Sequence, residues 1–121
     1  MTIRVDNIYG VIGDPIGHSL SPQMHNAAFK KLGLNCIYLP FRVTRRDLKS
    51  AMIGMRALNI RGFNVILPHK TAVIKFLDEL DEAAQEVGAV NTVLNDEGRL
   101  IGYNTDGFGA ARALEEQDVD P

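Results

Sequence analysis

The chain holds one cysteine, no tryptophan and only 7% aromatic residues. A single thiol cannot pair within the chain, so a disulfide framework and a cysteine-rich metal site are both excluded. Cys36 lies in an apolar run and reads as a small core residue, in keeping with a reducing, cytoplasmic setting. No stretch approaches the ~20 apolar residues that cross a bilayer. Residues 1–6 lack the apolar centre of a secretion signal. Charge of one sign is lacking too. Thirteen basic residues face fifteen acidic ones, for a net charge of −2. That balance gathers neither nucleic acid nor anionic lipid, so neither partner is expected.

What remains is an ordinary globular composition. The 121 residues are 45% hydrophobic and 23% charged, enough for one domain with a real core. A chain of this length buries roughly two-thirds of its unfolded surface. No repeat or low-complexity stretch interrupts it.

Strand-like and helix-like segments alternate, which predicts an α/β fold. The expected arrangement is a three-layer α/β/α domain with a mostly parallel, mixed sheet of about six strands. Residues 7–13 read as a buried first strand, followed by a loop at Gly13-Asp-Pro-Ile-Gly17. Ser21-Pro22 predicts a helix start, with serine as N-cap, and Gly33 its end. Met24, Ala28, Phe29 and Leu32 give that helix an inward face. Residues 36–41 form a second strand, placed at an edge or ended by Pro40. Thr44 and Asp47 open a helix that turns Leu48, Met52, Met55 and Leu58 inward. Residues 62–67 form a third strand, and helices are expected over about 69–76 and 79–86. Residues 89–94 and 100–103 flank Asn95-Asp-Glu-Gly98 as a hairpin with glycine in the left-handed position. A last helix opens at Asn104-Thr105-Asp106, and residues 118–121 read as the start of a linker.

In open α/β sheets, ligands bind beyond the carboxyl ends of the strands. Ser19, Ser21, Asn64, Lys70, Asn91, Asn104 and Asp106 fall at such places. Hydroxyls, amides, one ammonium and one carboxylate suit a small polyhydroxylated acid. Lys70 and Asp106 are each expected in a first helical turn, where the dipole disfavours an ammonium and favours a carboxylate. A lysine tuned this way can take a proton from an alcohol as a hydride leaves. On spacing alone, a surface lysine and an N-cap aspartate are the favoured reading, because aspartate is common at a helix start.

Other motifs fail. Gly17-His-Ser-Leu-Ser21 lacks the second glycine of a nucleophile elbow. His18, His25 and His69 have no metal-ligand spacing, and no metal is expected. His25 reads as a partly buried packing residue. The glycines at 10, 13 and 17, and at 107 and 109, match neither phosphate-loop spacing. No cofactor site is expected in this chain.

Four segments together resemble the shikimate dehydrogenase family. They are Gly13-Asp-Pro-Ile-Gly-His-Ser-Leu-Ser-Pro-Gln-Met-His-Asn26, Gly62-Phe-Asn-Val-Ile-Leu-Pro-His-Lys70, Gly88-Ala-Val-Asn-Thr92 and Gly102-Tyr-Asn-Thr-Asp-Gly107. The resemblance covers nearly the whole chain. It implies an enzyme that reversibly reduces 3-dehydroshikimate to shikimate with NADPH in aromatic amino-acid biosynthesis. Ser19 and Ser21 match the family's carboxylate-binding serines. Asn64, Asn91 and Asp106 match residues that bind ring hydroxyls, and Lys70 matches the catalytic lysine, paired with Asp106. Ile66 stands in the same pocket, where the family usually has threonine. Its lost hydroxyl removes a hydrogen bond of about 0.5–1.5 kcal/mol net.

The family carries NADP on a following Rossmann domain. Residues 1–121 are therefore expected to be the substrate-binding domain of a longer enzyme, inactive alone. A homodimer is compatible with this reading. A quinate/shikimate enzyme using NAD, a stand-alone small-molecule binding module and an interaction scaffold are the alternatives. The scaffold would need an exposed apolar patch, which the sequence does not clearly show.

Overall fold

The computed structural model describes residues 4–105. Its elements in chain order are β1 (Asn7–Gly13), α1 (Ser21–Leu32), β2 (Cys36–Arg42), α2 (Leu48–Ala57), β3 (Gly62–Val65), β4 (Glu79–Leu80), α3 (Glu82–Val87), β5 (Thr92–Asp96) and β6 (Arg99–Tyr103). Short 3-10 turns cover Arg45–Asp47 and Ala72–Phe76. The expected last helix and linker lie outside the described residues.

The strands form one six-stranded sheet in the order β2-β1-β3-β5-β6-β4. β1 runs parallel to β2 and β3, and β4 runs parallel to β6. β5 is antiparallel to both of its neighbours. The α/β class and the mixed, mostly parallel sheet with one reversed strand are as expected. β2 lies at an edge, as Pro40 suggested. The hairpin turn places Gly98 at φ 92° and also draws Glu97 to φ 52°. Asn95 Oδ1 secures the turn by accepting from the Gly98 N–H at 2.8 Å.

The core lies mainly against one face of the sheet. Ile12, Phe63, Val65, Val93 and Leu100 from the strands meet Leu48, Met52 and Met55 from α2, with Val73, Ala84 and Val90. Burying each large side chain contributes about 1.5–3 kcal/mol. Leu58, expected inward, is instead 74% exposed, because α2 ends at Ala57 and Leu58 is its C-cap.

Four local expectations are corrected. α1 starts after Leu20, with Ser21 as its first helical residue and not its N-cap; Ser19 Oγ instead accepts from the Ser21 N–H at 3.2 Å. The face of α1 is also rotated from the one expected, with Met24 67% and Leu32 70% exposed. Phe29 does pack, against Tyr9, but its partner on the helix is His25 over Tyr38. The helix expected over 69–76 is only the 3-10 turn Ala72–Phe76. It is cut short because the chain must deliver Asp78 to β6, where its N–H donates to Leu100 O at 2.8 Å. Finally, Glu79–Leu80 is a strand beside β6, and α3 begins only at Glu82. Asp81 sets that start, its side chain accepting from the Ala84 N–H at 2.8 Å.

Candidate functional site

The reversal of β5 builds the site. β1, β3 and β6 end at one edge of the sheet, and because β5 runs the other way, it begins there. Asn91, just before β5, therefore meets Thr105, just after β6. Main-chain bonds hold this edge together. Val65 N donates to Asn91 O at 2.8 Å, Asn91 N to Tyr103 O at 3.0 Å and Val90 N to Lys70 O at 2.8 Å. Asp14 N donates to Leu67 O at 3.0 Å, joining the loops after β1 and β3. The segments carrying Lys70 and Asn91 are thus stitched side by side.

The expected amides sit in one hydrogen-bonded chain. Tyr38 Oη donates to Asn64 Oδ1 at 2.6 Å. Asn64 Nδ2 donates to Thr92 Oγ1 at 3.2 Å and to Asn91 O at 3.4 Å. Thr92 Oγ1 donates to Asn91 Oδ1 at 2.9 Å, and Asn91 Nδ2 donates to Thr105 Oγ1 at 3.0 Å. Ser21 joins at the other end through its hydroxyl, which bonds Tyr38. So the structure links Ser21, Asn64 and Asn91, and adds Tyr38, Thr92 and Thr105, which the sequence reading missed. Thr92 and Thr105 stand beside asparagines inside two of the motifs quoted above, and their hydroxyls were a usable signal. Tyr38 gave none, since a tyrosine in an apolar strand reads as core.

The remaining candidates fall as follows. Ser19 is partly buried and spends a lone pair on the start of α1. Ile66 packs directly on Gly13, where an added Cβ would lie 2.3 Å from Ile66 Cγ1. Asn104 is buried and donates to Ala89 O at 3.0 Å, so it holds the backbone. Lys70 is partly buried in a turn before Ala72–Phe76, so the α-helical first turn expected around it is not there. Asp106 lies outside the described residues. His69, next to Lys70, is fully buried, and its Nε2 bonds Val43 O while Nδ1 finds no partner.

Burial pushes the Tyr38 hydroxyl up to about 12, partly offset by the Ser21 bond. It therefore stays a donor at any physiological pH. A groove of about 460 Å³ opens beside this network between Tyr9, Phe29, Leu94 and Tyr103, and Tyr38, Asn64 and Thr92 of the network also line it. Most of its exposed wall is carbon, a poor match to a polyhydroxylated acid except on the side formed by Asn64 and Thr92. The polar edge is the better candidate. Among the described residues, no cluster of His, Cys, Asp or Glu could hold a metal, and no helix is long and apolar enough to cross a membrane.

An open α/β sheet with polar groups gathered at the carboxyl edge of its strands is the architecture of a small-molecule-binding domain. Within that class, the model of the shikimate dehydrogenase substrate binding domain matches residues 11–93, and the chain belongs to that family. It is 63% identical over 108 residues to a shikimate dehydrogenase (NADP(+)) of Pyrococcus furiosus, covering 89% of this chain and 40% of that protein. It also superposes on the crystal structure of Listeria monocytogenes shikimate 5-dehydrogenase in complex with shikimate and NAD. There the TM-score is 0.86 at 52% identity, over 98% of this chain and 42% of that one. A 5-ketofructose reductase of a Gluconobacter species has the same fold, with TM-score 0.87 at 37% identity over 94% of this chain and 41% of that one. The chain thus spans about two-fifths of the length of the relatives it matches.

Proposed function

We propose that this chain is the substrate-binding domain of an NADP-dependent shikimate dehydrogenase, which interconverts 3-dehydroshikimate and shikimate in the cytoplasm. NADP, held by a Rossmann domain outside this chain, supplies or accepts the hydride. Ser19 and Ser21 hold the substrate carboxylate, and Asn64, Asn91 and Asp106 take the ring hydroxyls. Lys70, paired with Asp106, moves the proton on the reacting oxygen. The observation that carries this reading is the hydrogen-bonded chain Tyr38–Asn64–Thr92–Asn91–Thr105, which fixes two amides at the sheet edge beside the Lys70 segment.

In the full-length protein, Lys70→Ala should lower kcat for shikimate oxidation by about 10²–10⁴-fold, the range expected for general acid–base catalysis. KM should move far less. A variant with near-normal kcat would remove Lys70 from the chemistry. The second reading is a related polyol acid such as quinate, with NAD. Ile66, apolar where the family usually has a hydroxyl, changes the pocket without choosing between the two acids. The relative that acts on 5-ketofructose supports the idea that this fold accepts other substrates.

A further inference from the structure

Tyr38 is more firmly held than any ligand-facing role of its own would need. It lies on edge strand β2, 3% exposed, with its ring stacked on His25 at 4.4 Å between centroids and 11° between planes. Its main chain is clasped by Asn26, which accepts from the Tyr38 N–H at 2.8 Å and donates to Tyr38 O at 2.9 Å. Backbone and ring are therefore both fixed before the hydroxyl makes any contact.

The hydroxyl has one proton, and that proton goes to Asn64 Oδ1 at 2.6 Å. This bond assigns the asparagine amide: Oδ1 faces Tyr38, and Nδ2 faces Thr92 Oγ1 and Asn91 O. Both amide protons then have acceptors inside the protein. What Asn64 can still offer is the second lone pair of Oδ1. A flipped amide would set its oxygen against the Asn91 carbonyl, which cannot donate, and take the acceptor away from the Tyr38 proton.

We propose that Tyr38 is a positioning residue that locks Asn64 as a hydrogen-bond acceptor, so that Asn64 selects a substrate hydroxyl acting as donor. The inference rests on the reading that Asn64 faces the substrate. Tyr38 touches no substrate itself; it sets which of the two faces of Asn64 the substrate meets. A ketone or ether at that position on the ring has no proton to donate to Asn64 and would bind more weakly.

The test is steady-state kinetics on the full-length enzyme with shikimate and NADP+. Tyr38→Phe should raise KM for shikimate about three- to tenfold, the loss expected for one neutral hydrogen bond. It should change kcat less than about twofold. Asn64→Leu alone should raise KM at least as much, and adding Tyr38→Phe to Asn64→Leu should change nothing further. Coupling of this kind separates positioning from a general loss of packing, which would add in either background. An unchanged KM in either single variant, or an equal further rise in the double variant, overturns the inference. Wild-type enzyme that fails to turn over shikimate at all would instead overturn the function proposed above.

Discussion

At the scale of single residues, Tyr38 shows how burial and hydrogen bonding combine. Desolvation raises its hydroxyl from 10.0 to about 12. A tyrosine with a raised folded value favours the neutral form in the folded state. Its contribution is complete below about pH 10, where the unfolded chain is also neutral, and is lost as pH rises toward 12. Wild-type protein should therefore lose stability across that window faster than Tyr38→Phe, whose melting temperature has no such group to titrate. The facing side chains are His25, Ser21 and Asn64, and none is an acid that would reverse the sign. Parallel melting curves for the two proteins from pH 9 to 12 would contradict this. The same residue marks a limit of sequence reading. Ser21, Asn64 and Asn91, which the structure joins in one network, could be singled out as candidates because polar residues at strand ends have few other reasons to be there. Tyr38 was not, because its partner Asn64 is 26 positions away and its value lies in one proton.

At the scale of elements, the edge strand β2 is guarded. A free edge presents unpaired N–H and C=O groups that invite another strand. Here the side chain of Asn26 occupies the outward N–H and C=O of Tyr38, and Pro40 has no N–H to offer. Asn26→Ala should cost about 1–3 kcal/mol, the penalty of leaving buried backbone groups unpaired. Chemical denaturation of the full-length protein would measure it, and a change under about 0.5 kcal/mol would mean that water replaces the amide. α1 itself was half legible. Pro22 and Gly33 gave its ends within a residue, since both act through local backbone chemistry. Its buried side was misread because Met24 and Leu32 look like core, whereas His25, Asn26 and Phe29 do the packing. β4 was missed because two residues carry no periodicity, and only their pairing with Ile101 and Gly102 makes them a strand.

At the scale of the whole molecule, one reversed strand organises the site. Five parallel strands alone would end at one edge with only their own loops; the reversed β5 adds its beginning, and with it Asn91 and Thr92. The alternation of segments announced the α/β class, and Asn95 to Gly98 announced the reversal. Leu20, Met24 and Leu32 form an exposed apolar stripe on α1 that the sequence reading did not expect. In the proposed function the polar edge of the sheet binds shikimate. That binding is tested most directly by titrating the full-length protein with shikimate and following backbone and side-chain amides by NMR. Saturable shifts should centre on Ser19, Ser21, Asn64, Lys70 and Asn91, with the Asn64 side-chain amide among them. No saturable shift at millimolar shikimate, or shifts confined to Tyr9, Phe29 and Leu94 with none at Asn64 or Asn91, would contradict it.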